Sequence, residues 1–283
     1  MLHCSIAVAA ACGAPKHRAP EPTDTEPEGT ACAEDTLRLR ATRWQGAPTA
    51  LYVPARLDGE KVLFHLDSAS AYTVLFAQGA ELAWIEHAGD VTIGCLNLPL
   101  PGYAGLGRLP PVDGLPVVGM AGTDLLLRGP TAIDIAGATL TRHAQAPADW
   151  SEHASIPYEL VHGEMLVDAT FDGRPVRLVV DTGAAHAVWL GEPPQPGDVE
   201  VVTEDALGDP LSVWQGSATI GLTGSTWTAP MLRAERFAVL EAVEAQIGEP
   251  LDGLLGLSSF PGGRLMIDPV GRRLYIPGIA AAP

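Results

Sequence analysis

Two tetrapeptides carry the side chains best suited to chemistry in this sequence: Asp67-Ser68-Ala69-Ser70 and Asp181-Thr182-Gly183-Ala184, each closing an apolar run. A carboxyl held in a turn can take or give a proton, and two such turns facing each other can hold one water between them. A chain with both turns could assemble a whole acid–base site by itself. Other chemistry is poorly represented. The eight His are scattered without an H-x-x-x-H pair, and Cys4, Cys12, Cys32 and Cys95 form neither a C-x-x-C pair nor a zinc-ligand spacing, so no metal and no cofactor are expected. There is no G-x-S-x-G elbow to support serine hydrolase chemistry.

The elements that must position the two Asp come as a repeat. Leu51 to Leu57, the turn Asp58-Gly59 and the run Val62 to Leu66 lead to Asp67, while Met165 to Phe171, the turn Asp172-Gly173 and the run Val176 to Val180 lead to Asp181. The offset is 181 − 67 = 114 for the Asp and 172 − 58 = 114 for the Asp-Gly turn. Asp-Gly between β-rich runs signals a hairpin, so each copy is predicted to begin with a hairpin whose second strand delivers an Asp into a turn. Further on, Val91-Thr92-Ile93-Gly94 is matched with Ala218-Thr219-Ile220-Gly221 at 219 − 92 = 127. Asp113-Gly114 with Val117-Val118-Gly119 is matched with Asp252-Gly253-Leu254-Leu255-Gly256 at 256 − 119 = 137. Both copies close on Ile-Asp and a last strand, Ile133-Asp134 to Leu140 and Ile267-Asp268 to Ile276. The drifting offset places insertions of the second copy in loops.

Composition agrees with a β-rich chain. With 47% hydrophobic residues, 31 Gly and 25 Pro, 283 residues can bury a sizeable core but are interrupted too often for long helices. Met231 to Ile247 reads either as a short helix or as an edge strand, and Ala121 to Leu127 and Leu257 to Phe260 as short helical turns. The net charge of −17 argues against a nucleic-acid partner. No apolar run reaches the roughly 20 residues of a spanning helix.

Small residues before Cys12 resemble the lipobox of bacterial lipoproteins, which implies export, acylation at Cys12 and a periplasmic or surface location, the membrane being met only through the lipid. Gly13 to Thr36, rich in Pro, Glu and Thr, is predicted to be a disordered tether. Cys32 and Cys95 would then form one disulfide or remain as two thiols. The expected organisation is a leader and tether over 1–36, a first lobe over 37–145, a linker over 146–158 and a second lobe over 159–283.

The second copy, with Leu178-Val179-Val180-Asp181-Thr182-Gly183-Ala184 and the later Leu254-Leu255-Gly256, resembles a lobe of an aspartic peptidase of the retropepsin and pepsin type, and the likeness runs from about residue 48 to 278. It implies an all-β, bilobal acid-protease fold of two homologous, β-barrel-like lobes with a cleft between them. Carried over, Asp67 and Asp181 are the catalytic pair, Ser68 and Thr182 brace the turns with their hydroxyls, Ala69 and Gly183 complete them, and Gly119 and Gly256 lie beneath. A flap is implied at Thr203 to Val213, centred on Gly208-Asp209-Pro210, with a shorter candidate at Gln78 to Asp90. The implied activity is an aspartic endopeptidase, a monomer acting on peptide or unfolded protein by water-driven hydrolysis without metal. The weak first flap and two departures from the family support a rival, a surface-anchored binding module that keeps the scaffold without catalysis. Ala69 stands where the family has Gly, and His65 lies on the strand face of Asp67, either as a hydrogen-bonded structural His or as a pH-sensitive modulator. Trp84, Trp189 and Trp214 either line the cleft or are buried packing.

Overall fold

The computed structural model describes residues 34–78, 83–104, 109–204, 210–222, 224–235 and 237–280. Both expected hairpin turns form with both central residues at positive φ: 52° and 83° at Asp58-Gly59, 49° and 79° at Asp172-Gly173. That geometry matches strand twist, and Asp and Gly adopt it most readily.

The first copy contributes β1 (Glu34–Arg38), β2 (Arg40–Trp44), β3 (Ala47–Leu57), β4 (Glu60–Leu66), β5 (Val74–Ala77), β6 (Ala83–Ile93), β7 (Leu96–Ala104), β8 (Val117–Ala121), the one-turn helix α1 (Thr123–Leu126), β9 (Thr131–Asp134) and β10 (Thr139–His143). After β11 (His153–Pro157) the second copy contributes β12 (Glu159–Val161), β13 (Glu164–Phe171), β14 (Arg174–Val180), β15 (Ala187–Leu190), β16 (Val199–Glu204), β17 (Pro210–Leu222), β18 (Ser225–Ala234), helix α2 (Ala238–Ile247), β19 (Gly253–Leu255), β20 (Arg264–Asp268) and β21 (Arg273–Ala280). The undecided segment Met231 to Ile247 is both things in succession, the end of β18 and then α2. Gly248 ends α2 in the left-handed conformation at φ 79°.

Each lobe has its own sheet, β2-β3-β4-β8-β5-β7-β6 in the first and β12-β13-β14-β19-β15-β18-β17-β16 in the second. Strands β3, β4, β8, β5, β7 and β6 occur in the same order as β13, β14, β19, β15, β18 and β17. The barrel-like closure expected of each lobe is limited to one short contact per sheet, Arg56 and Leu57 against Thr92 and Val91, and Thr170 and Phe171 against Gly221 and Ile220. These contacts correct the alignment of the third segment. Thr92 answers Gly221, so the offset is 221 − 92 = 129 rather than 127. A shift of two keeps every side chain on its face, which is why the apolar pattern could not detect it.

A third sheet, β1-β10-β9-β20-β21-β11, joins the lobes through β9 and β20. Ile133 opposes Leu265 and Thr131 opposes Ile267, and the common offset, 265 − 131 = 267 − 133 = 134, makes this junction a local twofold. The segment read as a linker supplies β11, which pairs with β21.

One apolar cluster reaches from Phe64 and Leu66 through Ile133 and Ile267 to Leu178 and Val180. On β14 the intervening Val179 enters a second cluster with Leu166, Leu254 and α2. Both faces of the central strands are therefore covered, and the run Leu178-Val179-Val180 is apolar throughout rather than alternating.

Candidate active site

Asp67 and Asp181 are each the first residue past a buried strand, and each is fixed by the last rung of a parallel ladder. The Asp67 amide donates to the Ala121 carbonyl of β8 and the Asp181 amide to the Leu255 carbonyl of β19, both at 3.0 Å. The chain then turns: the Ser70 amide donates to the Asp67 carbonyl at 3.2 Å and the Ala184 amide to the Asp181 carbonyl at 3.3 Å.

The two turns are laced together by the hydroxyls of the next residues. Ser68 Oγ accepts the Thr182 amide at 2.9 Å and donates to the Val180 carbonyl at 2.7 Å. Thr182 Oγ1 accepts the Ser68 amide at 3.0 Å and donates to the Leu66 carbonyl at 3.2 Å. All of these groups are buried, so each bond satisfies a donor and an acceptor that water cannot reach. This reciprocal brace brings Asp67 and Asp181 together at the lobe junction, both with no exposed surface.

Their environments differ. Asp181 Oδ1 accepts two amides, from Gly183 at 2.8 Å and Ala184 at 3.2 Å, whereas Asp67 Oδ1 accepts one, from Ala69 at 3.0 Å. Donors to a carboxylate favour its charged form. Burial pushes the Asp181 carboxyl up to about 6, opposed by those two amides and by the neighbouring Asp67 carboxyl. Burial first, then the charges of Asp181 and Glu164, raise Asp67 well above the usual carboxylate range. Within the pair, the second amide donor favours the charge on Asp181, while burial and the neighbouring charges favour the neutral form of Asp67. The third carboxyl, Glu164 at the start of β13, is 2% exposed and is raised by burial and by Asp181 to about 8.

These shifts fix the sign of a stability effect. An acid with a raised folded pKa stabilises fully below its unfolded pKa, near 4, and that contribution is lost as pH rises through the folded pKa. For Asp181 and Glu164 the loss runs from about pH 4 through about 6 and about 8. The double variant Asp67→Asn/Asp181→Asn is expected to show a flatter fall in urea midpoint over this range than the parent, and a higher midpoint than the parent at about pH 8. A variant that falls as steeply as the parent would contradict the buried-acid account.

The glycines beneath the turns need a correction of register. A Cβ on Gly256 would lie 2.3 Å from the His186 carbonyl oxygen and 2.7 Å from that of Ala184. The residue meeting the equivalent atoms is Gly122, whose Cβ would lie 2.4 Å from the Tyr72 carbonyl oxygen and 2.6 Å from that of Ser70. Gly119 instead answers Gly253, since their Cβ atoms would strike the Val74 and Val188 carbonyl oxygens at 2.1 and 1.9 Å. Each copy thus has two close-approach glycines, at offsets 256 − 122 = 253 − 119 = 134, and matching Gly119 with Gly256 crossed the pairs. Likewise Asp113-Gly114 forms a two-residue turn between Val112 and Leu115, whereas Gly253 lies within β19.

Ala69 is accommodated. Its backbone is not in the left-handed region, and it packs with Leu166 and Val179 of the other lobe. His65 is not the hydrogen-bonded structural His expected, because both ring nitrogens are buried without a hydrogen bond while the ring packs at 5.3 Å from Tyr52. Burial holds it neutral, lowered to about 4.

Trp189 is core, edge-on to Phe171 with the Arg174 guanidinium over its ring at 4.9 Å. Trp84 is half-buried between Tyr72 and Tyr103, just beyond the Asp67 turn, and Trp214 is half-buried on β17. Of the flap candidates, Gly208 and Asp209 lie outside the described residues, and Pro210 begins β17, which with β16 forms a hairpin. The first-copy candidate is instead the beginning of the long strand β6 paired with β7, and among the described residues no strand there corresponds to β16. Cys12 and Cys32 lie outside the described residues; Cys95 is disulfide-bonded to a partner also outside them.

The signal for Glu164 was its place at 164 − 50 = 114 from Ala50, an acid in one copy where the other has a small apolar residue. Among the described residues no group of three or more His, Cys, Asp or Glu is arranged to hold a metal ion.

No protein-family model and no curated protein matches the sequence. Among solved structures that do match, basic 7S globulin from soybean superposes with a TM-score of 0.48 and 10% identity, over 86% of this chain and 94% of that chain. At that identity and TM-score the likeness is weak. The all-β architecture of two duplicated lobes stands on the chain's own strand order and register.

Proposed function

We propose that this chain is an aspartic endopeptidase on a pepsin-like scaffold, with Asp181 as general base and Asp67 as general acid. The observation that carries this reading is the pair of fully buried carboxyls at the lobe junction, held by a reciprocal hydroxyl brace, with two amides donating to Asp181 and one to Asp67. In the proposed reaction Asp181 takes a proton from water as the water oxygen bonds to the scissile carbonyl carbon, and Asp67 gives its proton to the carbonyl oxygen. The resulting gem-diol collapses as Asp181 returns its proton to the leaving nitrogen and Asp67 recovers one from a hydroxyl. The C–N bond breaks, an acid and an amine leave, and the pair is restored. Extended peptide would lie between the lobes, held by main-chain hydrogen bonds.

The second reading is a non-catalytic module that binds peptide on the same scaffold. It asks for less, because the fold alone suffices, and it is favoured by the complete burial of Asp67 and Asp181, which must meet water for hydrolysis to begin. The test is incubation of the folded protein with an unstructured polypeptide from about pH 4 to 8, read by mass spectrometry, alongside calorimetry with a statine-type transition-state mimic. Cleavage together with mimic binding is expected. Peptide binding without cleavage or mimic affinity would establish the module instead.

A further inference from the structure

The local twofold relating the copies is broken beside the carboxyl pair. Where the first copy has the buried Ala50, the second has Glu164, immediately after the His162-Gly163 turn of the β12–β13 hairpin. That turn is pressed on the chain leaving Asp67: a Cβ on Gly163 would lie 2.5 Å from the Ala71 Cβ. Glu164 therefore comes from one lobe and sits against the loop of the other.

Its surroundings offer it almost nothing. Glu164 Oε2 is buried without a hydrogen bond, as are Asp67 Oδ2 and Asp181 Oδ2. The strand beside it brings Leu160, Val161 and the solvent-exposed His162, and β14 brings Val179 and Val180. Across the lobe junction the nearby Asp124 is occupied by the Thr73 amide and hydroxyl at 2.7 and 2.6 Å. Among the described residues no Lys, Arg or His pairs with Glu164, so the charged groups that face it are Asp181 and Asp67. A buried acid without hydrogen bonds is a poor structural element, since burial of a polar group stabilises only when it is bonded.

We propose that Glu164, buried and unbonded where the β12–β13 turn meets the loop after Asp67, is a positioning residue that acts through the Asp67–Asp181 pair: its charge, once formed, holds the proton on Asp67. The consequence is a working range extended to higher pH, with the pair still singly protonated after Glu164 has ionised. This deepens the hydrolytic reading and rests on it for its effect on rate. The directions agree, for the Glu164 charge is among the influences that raise Asp67, and Glu164 itself is pushed up to about 8 by burial and the Asp181 charge.

The experiment is the pH profile of kcat/KM for the parent and for Glu164→Gln, with ¹³C NMR titration of the Asp and Glu carboxyls in both. Below the range where Glu164 ionises, both proteins carry a neutral group there, so the acidic limb is expected to coincide. The basic limb of Glu164→Gln is expected to move down by about one pH unit, and the Asp67 carboxyl to titrate lower by a similar amount. Coincident basic limbs and an unmoved Asp67 would overturn the proposal, even if Glu164→Gln changes the melting temperature. Should the parent cleave nothing, the hydrolytic reading fails, while the NMR titration of Asp67 still decides the coupling. Should Glu164→Gln not fold, the parent's Glu164 carboxyl decides it: a titration in the ordinary glutamate range would overturn the proposal.

Discussion

Asp181→Asn is expected to lower kcat/KM for peptide hydrolysis by about 10²–10⁴-fold, the usual contribution of a positioned acid or base. An amide keeps the size of the side chain and can still accept the Gly183 and Ala184 amides through its oxygen, so the turn has no reason to rearrange. What it lacks is the charge that takes a proton from water. Asp67→Asn removes the proton donor and is expected to fall comparably, but by a different route, since Asp67 is neutral when active and the substitution preserves that neutrality while ending transfer. The two losses should not add, because either one stops the same proton cycle. A single variant that keeps more than about a tenth of the parental rate would be incompatible with these roles. Circular dichroism and urea unfolding of both variants separate lost chemistry from lost fold.

Thr182→Val is expected to destabilise the protein by about 2–6 kcal/mol, as judged from about 1–3 kcal/mol for each of two buried groups left unsatisfied. Valine replaces the hydroxyl by a methyl of similar size, so no cavity opens and the loss belongs to hydrogen bonding. Two partners are orphaned, the Ser68 amide at 3.0 Å and the Leu66 carbonyl at 3.2 Å, both in the other lobe. Urea unfolding at fixed pH measures this directly. Because the lost bonds cross the lobe junction, Thr182→Val combined with Ser68→Ala should fall short of the sum of the single effects. A near-zero effect of Thr182→Val would mean that the brace is replaceable by water.

The brace explains how the site departs from symmetry without losing its frame. Ala69 fits because its amide still reaches Asp67 Oδ1 and its methyl joins the cluster of Leu166 and Val179. The extra amide on Asp181 and the acid at position 164 both act on the carboxyls rather than on the turns. They bias the proton toward Asp67 while leaving the hydroxyl lacing equal on the two sides.

Much of this was legible in the residues. The constant offset of 114 from Asp58-Gly59 to Asp67 predicted two hairpins delivering two Asp, because Asp-Gly adopts the positive φ such turns require and apolar runs mark strands buried on both faces. Past that block, apolar alternation fixes only which face a residue occupies. Thr92 was therefore misaligned by two residues, and Gly119 was paired with Gly256 instead of Gly253, since a glycine in sequence does not say which carbonyl oxygen it approaches.

By itself the sequence determined the duplication, the all-β class and the residues Asp67, Ser68, Asp181 and Thr182, all consequences of local backbone preference and hydrophobic pattern. Only the tertiary structure decided that Asp67 and Asp181 are fully buried, that the acid Glu164 is buried without a hydrogen bond, and that His65 is held neutral with both ring nitrogens unbonded. Protonation depends on burial and on donors from distant strands, and those distances exist only once the lobes have met.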